Sequence, residues 1–250
     1  MTAPNRSTAV MQRRATTAPD ELDYFPTPPW ATRALCRFLS DEGGEPVEVQ
    51  RAWEPACGEG HMVRPLREYF ADVHASDVHP YTPGQAHCDF LIDLPGLPVA
   101  DWIITNPPFN IGDQFAQTAM ARARRGVALF VRSAFAEGAE RYRSLFTEAA
   151  RPTWELAFCE RVVLLKGRLI RSGAPDPFNL DEHGKPKKAS SATSYSWLIW
   201  QIGRHDTRKR WIAPAHAPRS NAPAIIPTTA TCLAPPKDHC CEPPRHPRHA

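Results

Sequence analysis

Three short apolar runs set the frame of the chain: Trp102-Ile103-Ile104-Thr105, Gly126-Val127-Ala128-Leu129-Phe130-Val131 and Ser194-Tyr195-Ser196-Trp197-Leu198-Ile199-Trp200. Runs of this length, bounded by turn residues and rich in β-branched and aromatic side chains, predict strands buried on both faces. Val47 to Trp53, Val73 to Val78 and Glu160 to Leu165 predict three further strands of more mixed polarity. Between them the spacing turns helical. Trp30, Ala34, Leu35, Phe38 and Leu39 mark one helix after Phe25-Pro26-Thr27-Pro28-Pro29, with Thr27 placed to cap it. Ile111, Phe115, Ala119 and Met120 mark a second, closed by Arg124, Arg125 and Gly126. Tyr142, Leu145 and Phe146 mark a third within 138–150 and are spaced to cover a sheet. Strands alternating with helices predict an α/β, doubly wound, mostly parallel sheet. The 160–165 and 194–200 strands are expected to close it as a final antiparallel pair.

Composition narrows the class. A chain of 250 residues, 42% hydrophobic, can bury one sizeable core, and no apolar run approaches a membrane span. Seven scattered cysteines without a C-x-x-C pair suit reduced thiols in a cytoplasmic setting. Residues 1–20 are basic and poor in acids, and 211–250 are rich in proline; both read as disordered tails around a folded unit at 21–210. Cysteines and histidines near the C-terminus match no zinc spacing, so no metal is expected. The net charge of +3 conceals an asymmetry: residues 21–150 hold eleven Arg and no Lys against eighteen acids, whereas 151–210 hold twelve Lys or Arg against six. An acidic half joined to a basic one suits a cofactor domain beside a surface that meets a polyanion.

The chemistry concentrates in Asn106-Pro107-Pro108-Phe109, directly after the first apolar run. Two prolines stop the strand and stiffen the loop at its carboxyl end, where open α/β sheets bind ligands. The Asn106 amide oxygen and the Pro107 carbonyl can converge on one amino group, with Phe109 offering a flat apolar face. These residues suit a planar, amino-bearing acceptor such as a nucleobase. About 50 residues earlier, Glu54-Pro55-Ala56-Cys57-Gly58-Glu59-Gly60 lies between a strand and a helix, where glycines allow positive φ and close approach of a ligand. The incomplete G-x-G-x-x-G pattern speaks against a dinucleotide site. Asp77 ends the second strand, the place from which an acid accepts hydrogen bonds from ribose hydroxyls.

Together these segments resemble S-adenosylmethionine-dependent amino-methyltransferases, whose signatures are (D/N)-P-P-(Y/F/W) and (D/E)-P-x-x-G-x-G; the likeness covers about residues 22–202. It implies a seven-stranded Rossmann-like methyltransferase sheet and S-adenosyl-L-methionine as cofactor. Phe25 and Thr27 would pack beside the cofactor; Glu54, Pro55, Ala56, Gly58 and Gly60 would form its loop, with Glu54 facing the methionine amino group. Asp77 would bind the ribose, Asp89 and Phe90 the adenine, and Asn106 would border both cofactor and acceptor. The motif order is most similar to adenine-N6 DNA methyltransferases with C-terminal target recognition, which implies DNA as partner to a monomeric enzyme. Methylation of RNA adenine or of a protein glutamine amide uses the same loop, and a non-catalytic nucleic-acid-binding protein on a methyltransferase scaffold is the reading from another class. The polar insert 166–193 carries Lys166, Arg168, Arg171, Lys185, Lys187 and Lys188 and is the candidate grip on a nucleic-acid backbone. At this length it departs from the whole recognition domain of sequence-specific members.

Overall fold

A computed structural model describes residues 23–92 and 95–214, together with the backbone of 225–226. One eight-stranded sheet organises it, in the order β11-β6-β10-β5-β4-β1-β2-β3. The strands are β1 (Arg51–Glu54), β2 (Asp72–Asp77), β3 (Ala86–His87), β4 (Trp102–Thr105), β5 (Gly126–Arg132), β6 (Trp154–Phe158), β10 (Tyr195–Gln201) and β11 (Arg208–Ile212). From β3 to β5 every pairing is parallel. β10 runs antiparallel to both β5 and β6, and β11 returns parallel to β6. The doubly wound architecture is as expected; an eighth strand, β11, is added at the edge beyond the seven that were anticipated.

Alternate residues of the central strands divide between two cores, as a sheet covered on both sides requires. Ile104, Ala128, Phe130, Trp197 and Ile199 face one core with α1 (Pro29–Asp41), which supplies Leu35, Phe38 and Leu39. Ile103, Val127, Leu129, Val131, Leu198 and Trp200 face the other with α3 (Gly112–Arg122), which supplies Phe115, Ala116 and Ala119. Each such fully buried aliphatic or aromatic side chain contributes about 1.5–3 kcal/mol relative to exposure, so these faces fix which side of the sheet each helix covers.

Several local expectations change. The antiparallel partner of β10 is Trp154–Phe158, not 160–165; Val162 to Leu165 are buried but leave the sheet as an irregular segment. Val47–Val49 is a 3-10 turn preceding β1, consistent with its polar middle. The helix after the glycine loop is a single turn, α2 (Val63–Leu66), so no extended row of helix N–H groups faces the loop. α4 is short, Ala139–Leu145, and buries Leu145 while Tyr142 stays exposed. Thr27 makes no cap bond to α1: Pro28 stands at the cap and prolines there leave fewer N–H groups to satisfy.

The insert is folded. β7 (Leu169–Ile170) and the antiparallel pair β8 (Pro175–Leu180) and β9 (Pro186–Lys188) enclose a small core of Val163, Leu165, Ile170, Ala174 and Ala189. The backbone of β12 (Ile225–Ile226) pairs antiparallel with β7. The C-terminal cysteines and histidines lie outside the described residues.

Candidate functional site

Three parallel neighbours deliver the site. β4, β1 and β2 end in Thr105, Glu54 and Asp77, so the loops that follow open side by side at the carboxyl edge, where the strand order reverses on either side of β1. A cavity of about 270 Å³ lies there. Of the residues expected to hold a cofactor, Phe25, Thr27, Glu54, Pro55, Ala56, Asp77, Asp89, Phe90 and Asn106 line it. Gly58 and Gly60 do not; they shape the loop behind it. Gly58 has φ +50°, and a Cβ there would stand 2.3 Å from the Tyr24 ring, so glycine is demanded by both backbone and space.

The cavity wall holds buried polar atoms without partners. Glu54 is 1% exposed; Oε1 accepts from the Thr105 hydroxyl at 3.5 Å, and Oε2 has no hydrogen bond among the described residues. Burial, and then the neighbouring Asp77, push its carboxyl pKa well above the usual range. Thr27 Oγ1 is likewise buried and unanswered. Asn106 Nδ2 donates to the Phe25 carbonyl at 2.9 Å, which fixes the amide plane and leaves Oδ1 buried with no partner. Unpaired buried groups each cost about 1–3 kcal/mol, and natural structures keep few of them.

Asp77 is better supported. Its Oδ2 accepts from the Gly58 N–H at 2.8 Å and its Oδ1 from the His79 N–H at 3.0 Å. Burial raises its pKa and these two bonds partly oppose the rise. Asp89 Oδ1 accepts from the Leu91 N–H at 3.0 Å, a local turn that presents the carboxylate to the cavity. Phe90 is held edge-on to Trp53 and tilted against Phe115.

The sequence pointed to Phe25 but not to Asp23 and Tyr24, which form a strap with it. Tyr24 accepts from the Glu59 N–H through its hydroxyl and packs on Tyr81 with ring centroids 4.7 Å apart. Its carbonyl accepts from the Gly167 N–H at 3.0 Å, which ties this strap to the basic insert. The Phe109 N–H donates to Asp23 at 3.3 Å. His61 also lines the cavity; burial lowers its pKa to about 4, so it is neutral and forms no ion pair with Glu59, 3.4 Å away, near neutral pH. The Cys57 thiol accepts from the Gln85 amide at 2.8 Å, and burial pushes its pKa up, which disfavours the thiolate.

A second cavity, of about 180 Å³, lies on the other side of the Asn-Pro-Pro-Phe loop. Pro107 and Phe109 line it, whereas Asn106 and Pro108 line the first. The four-residue loop is therefore the partition between two chambers. The Arg132 guanidinium lies 3.9 Å above the Phe109 ring, and Phe25 packs on that ring at 5.2 Å. The only forewarning of Arg132 was its place at the carboxyl end of a predicted strand.

On the insert, Lys166, Arg171, Lys185, Lys187 and Lys188 are exposed. Arg168 is committed elsewhere: it pairs with buried Asp176 at 2.9 Å and lies over the Phe178 ring at 5.0 Å.

No family model and no curated protein matches the chain. Solved structures do. A protein from Listeria monocytogenes assigned as a class I S-adenosylmethionine-dependent methyltransferase aligns over 82% of this chain and 70% of its own, at TM-score 0.50 and 13% identity. One from Pyrococcus horikoshii assigned as an RNA methyltransferase aligns over 81% of this chain and 100% of its own, at TM-score 0.49 and 15% identity. A type I restriction-modification methyltransferase subunit from Streptococcus thermophilus aligns over 82% of this chain and 50% of its own, at TM-score 0.48 and 12% identity. At such identities the likeness is one of fold, and the chain has the Rossmann-like fold of the Listeria methyltransferase.

Proposed function

We propose that the protein transfers a methyl group from S-adenosyl-L-methionine to an exocyclic amino group of a nucleobase, with adenine N6 in DNA as the acceptor. The observation that carries this reading is the state of Asn106: its amide is locked by Phe25, its free oxygen is buried, and its loop divides two cavities.

The residues fit the cofactor. An unpaired buried carboxylate in a dry wall calls for a cation, which the methionine ammonium supplies to Glu54 Oε2. Asp77 accepts from the ribose hydroxyls with the lone pairs left after its two backbone bonds, and Asp89 with Phe90 receives the adenine. Bound there, the sulfonium supplies an electrophilic methyl carbon.

The remaining chemistry belongs to this chain. An exocyclic amine conjugated with its ring is a weak nucleophile because its lone pair is delocalised. Asn106 Oδ1 and the Pro107 carbonyl accept its two hydrogens, favouring a pyramidal nitrogen whose lone pair points across the loop. The nitrogen forms its N–CH3 bond as the S–CH3 bond breaks, leaving S-adenosylhomocysteine as the neutral thioether, and it releases one proton to water. Pro108 holds the loop stiff. Phe109 offers the stacking face that offsets part of the few kcal/mol needed to take a base out of a duplex. Lys185, Lys187 and Lys188 on the β8–β9 hairpin meet phosphates through counterion release. The basic insert favours nucleic acid over a protein amide.

The test incubates purified protein with tritiated S-adenosylmethionine and DNA, RNA or protein, followed by digestion of the labelled DNA to nucleosides and mass spectrometry. N6-methyl-2′-deoxyadenosine is the expected product. Label in RNA or protein alone would replace the proposed acceptor, and absence of cofactor binding by calorimetry would remove the enzymatic reading.

A further inference from the structure

The second cavity has an unusual lining for a chamber that borders an amine-binding loop. Two arginines, Arg132 and Arg141, and two aromatic rings, Phe109 and Phe135, contribute to it, and none of its lining residues is acidic. Each guanidinium lies over a ring: Arg132 over Phe109 at 3.9 Å and Arg141 over Phe135 at 4.7 Å. Arg141 is anchored by donating to the Phe135 and Glu137 carbonyls, and Arg132 stands beside the Tyr195 hydroxyl. The Nε of both arginines is buried with no hydrogen-bond partner.

A neutral side-chain amide offers one carbonyl acceptor and no aromatic face, so it would answer only part of this lining. A flat ring carrying a nearby anion answers both features, since the ring takes the aromatic face and the anion takes the forked guanidinium donors. Arg132 covers the Phe109 face that a stacked base requires, and its flexible stem lets the guanidinium leave the ring while staying at the cavity.

We propose that Arg132 is a specificity-determining residue of the acceptor chamber: it yields the Phe109 face to the acceptor base and binds the phosphate attached to that nucleotide. This rests on the methyltransferase reading and narrows its acceptor to a nucleotide within a strand.

The experiment measures binding of fluorescent DNA and RNA oligonucleotides of mixed sequence, single-stranded and duplex, by anisotropy across a salt series. The non-transferable cofactor analogue sinefungin is present throughout. Arg132→Gln is expected to raise Kd about tenfold for the acceptor polymer and to reduce the slope of log Kd against log salt by about one, the signature of one lost phosphate contact. Arg132→Lys keeps the charge and restores the slope, but not all of the affinity. Calorimetric binding of S-adenosylmethionine stays at the wild-type value. Should Arg132→Gln lose its native melting transition, Arg132→Met, which keeps the apolar stem and removes the charge, serves as the second variant, with the same direction of change expected.

Unchanged Kd and slope in a folded variant, or no binding of either polymer by the wild type, would overturn the proposal. An Arg132-dependent slope in a protein that leaves every base unmethylated supports the chamber and sinks the catalytic reading instead, so the two failures are distinguishable.

Discussion

The two edges of the sheet each bury a glutamate, and they are treated in opposite ways. Near the amino ends of β4 and β5, Glu45 is saturated: Gln201 donates to Oε1 at 2.7 Å, while Gln50 and Arg125 donate to Oε2 at 3.3 and 3.2 Å. Gln50 in turn accepts from the Trp102 indole at 3.0 Å. At the carboxyl edge Glu54 has one long contact and a bare oxygen. Both carboxylates are buried, so burial alone does not separate them. What separates them is completion within the protein: Glu45 has partners for both oxygens, whereas Glu54 has a bare oxygen that the proposed cofactor ammonium would answer.

The comparison can be broken most forcefully at Asn106. Asn106→Ala is expected to lower the methyl-transfer rate by about 10²–10³-fold, the loss seen when a preorganised polar group at a reacting centre is removed. The affinity for S-adenosylmethionine should stay within a few-fold, read by single-turnover kinetics beside calorimetry. A normal transfer rate would show that the incomplete edge is not the working one.

Asp77→Ala comes next. Removing a charged acceptor of two or more hydrogen bonds costs about 1.5–3 kcal/mol, so the dissociation constant for the cofactor should rise roughly 10–100-fold. Transfer at saturating cofactor should persist, because Asp77 touches no acceptor.

At the completed edge the expected readout is stability. Glu45→Ala takes the acceptor from the Gln50 amide and from one N–H of Gln201, whose amide still donates to the Gly43 carbonyl at 3.1 Å. At about 1–3 kcal/mol, this loss should lower Tm by roughly 2–10 °C while leaving cofactor affinity alone.

Glu54→Gln sharpens the contrast by having the opposite sign. An acid whose folded-state pKa is raised binds more protons folded than unfolded between the two pKa values. Its stability contribution is therefore most favourable below the ordinary carboxylate range and is lost as pH climbs towards the raised value. Glu54→Gln should raise the Tm of the cofactor-free protein by about 2–4 °C at pH 8, equivalent to roughly 1 kcal/mol, and change little near pH 4. Cofactor affinity should fall in the same variant. A lower Tm at pH 8 would mean that Glu54 is already satisfied in the fold.

How far the sequence could be read depended on the range of the interactions involved. Trp102 to Thr105 and Gly126 to Val131 announced buried strands because a sheet covered on both faces needs apolar residues at every position, a strictly local demand. Glu54, Asp77 and Asn106 were legible for a related reason: each ends or follows a strand, and the topology of a parallel sheet brings such positions to one edge. The strand at 160–165 was misplaced because an apolar run declares burial without declaring hydrogen-bond partners, and Trp154–Phe158 won the pairing. Thr27 looked like a cap, but Pro28 holds that position and the Thr27 hydroxyl is buried without a partner in a residue that lines the cavity.

The amino-acid order by itself determined the α/β winding and the stiff Asn-Pro-Pro-Phe corner, since each follows from short-range sterics and hydrophobic period. Only the tertiary structure decided which buried groups would be answered. Phe25 reaches Asn106 across 81 positions of chain and Gln201 reaches Glu45 across 156. It also set Arg132 on Phe109 and put a wall between two chambers, because those contacts join segments whose meeting depends on how the whole sheet is wound.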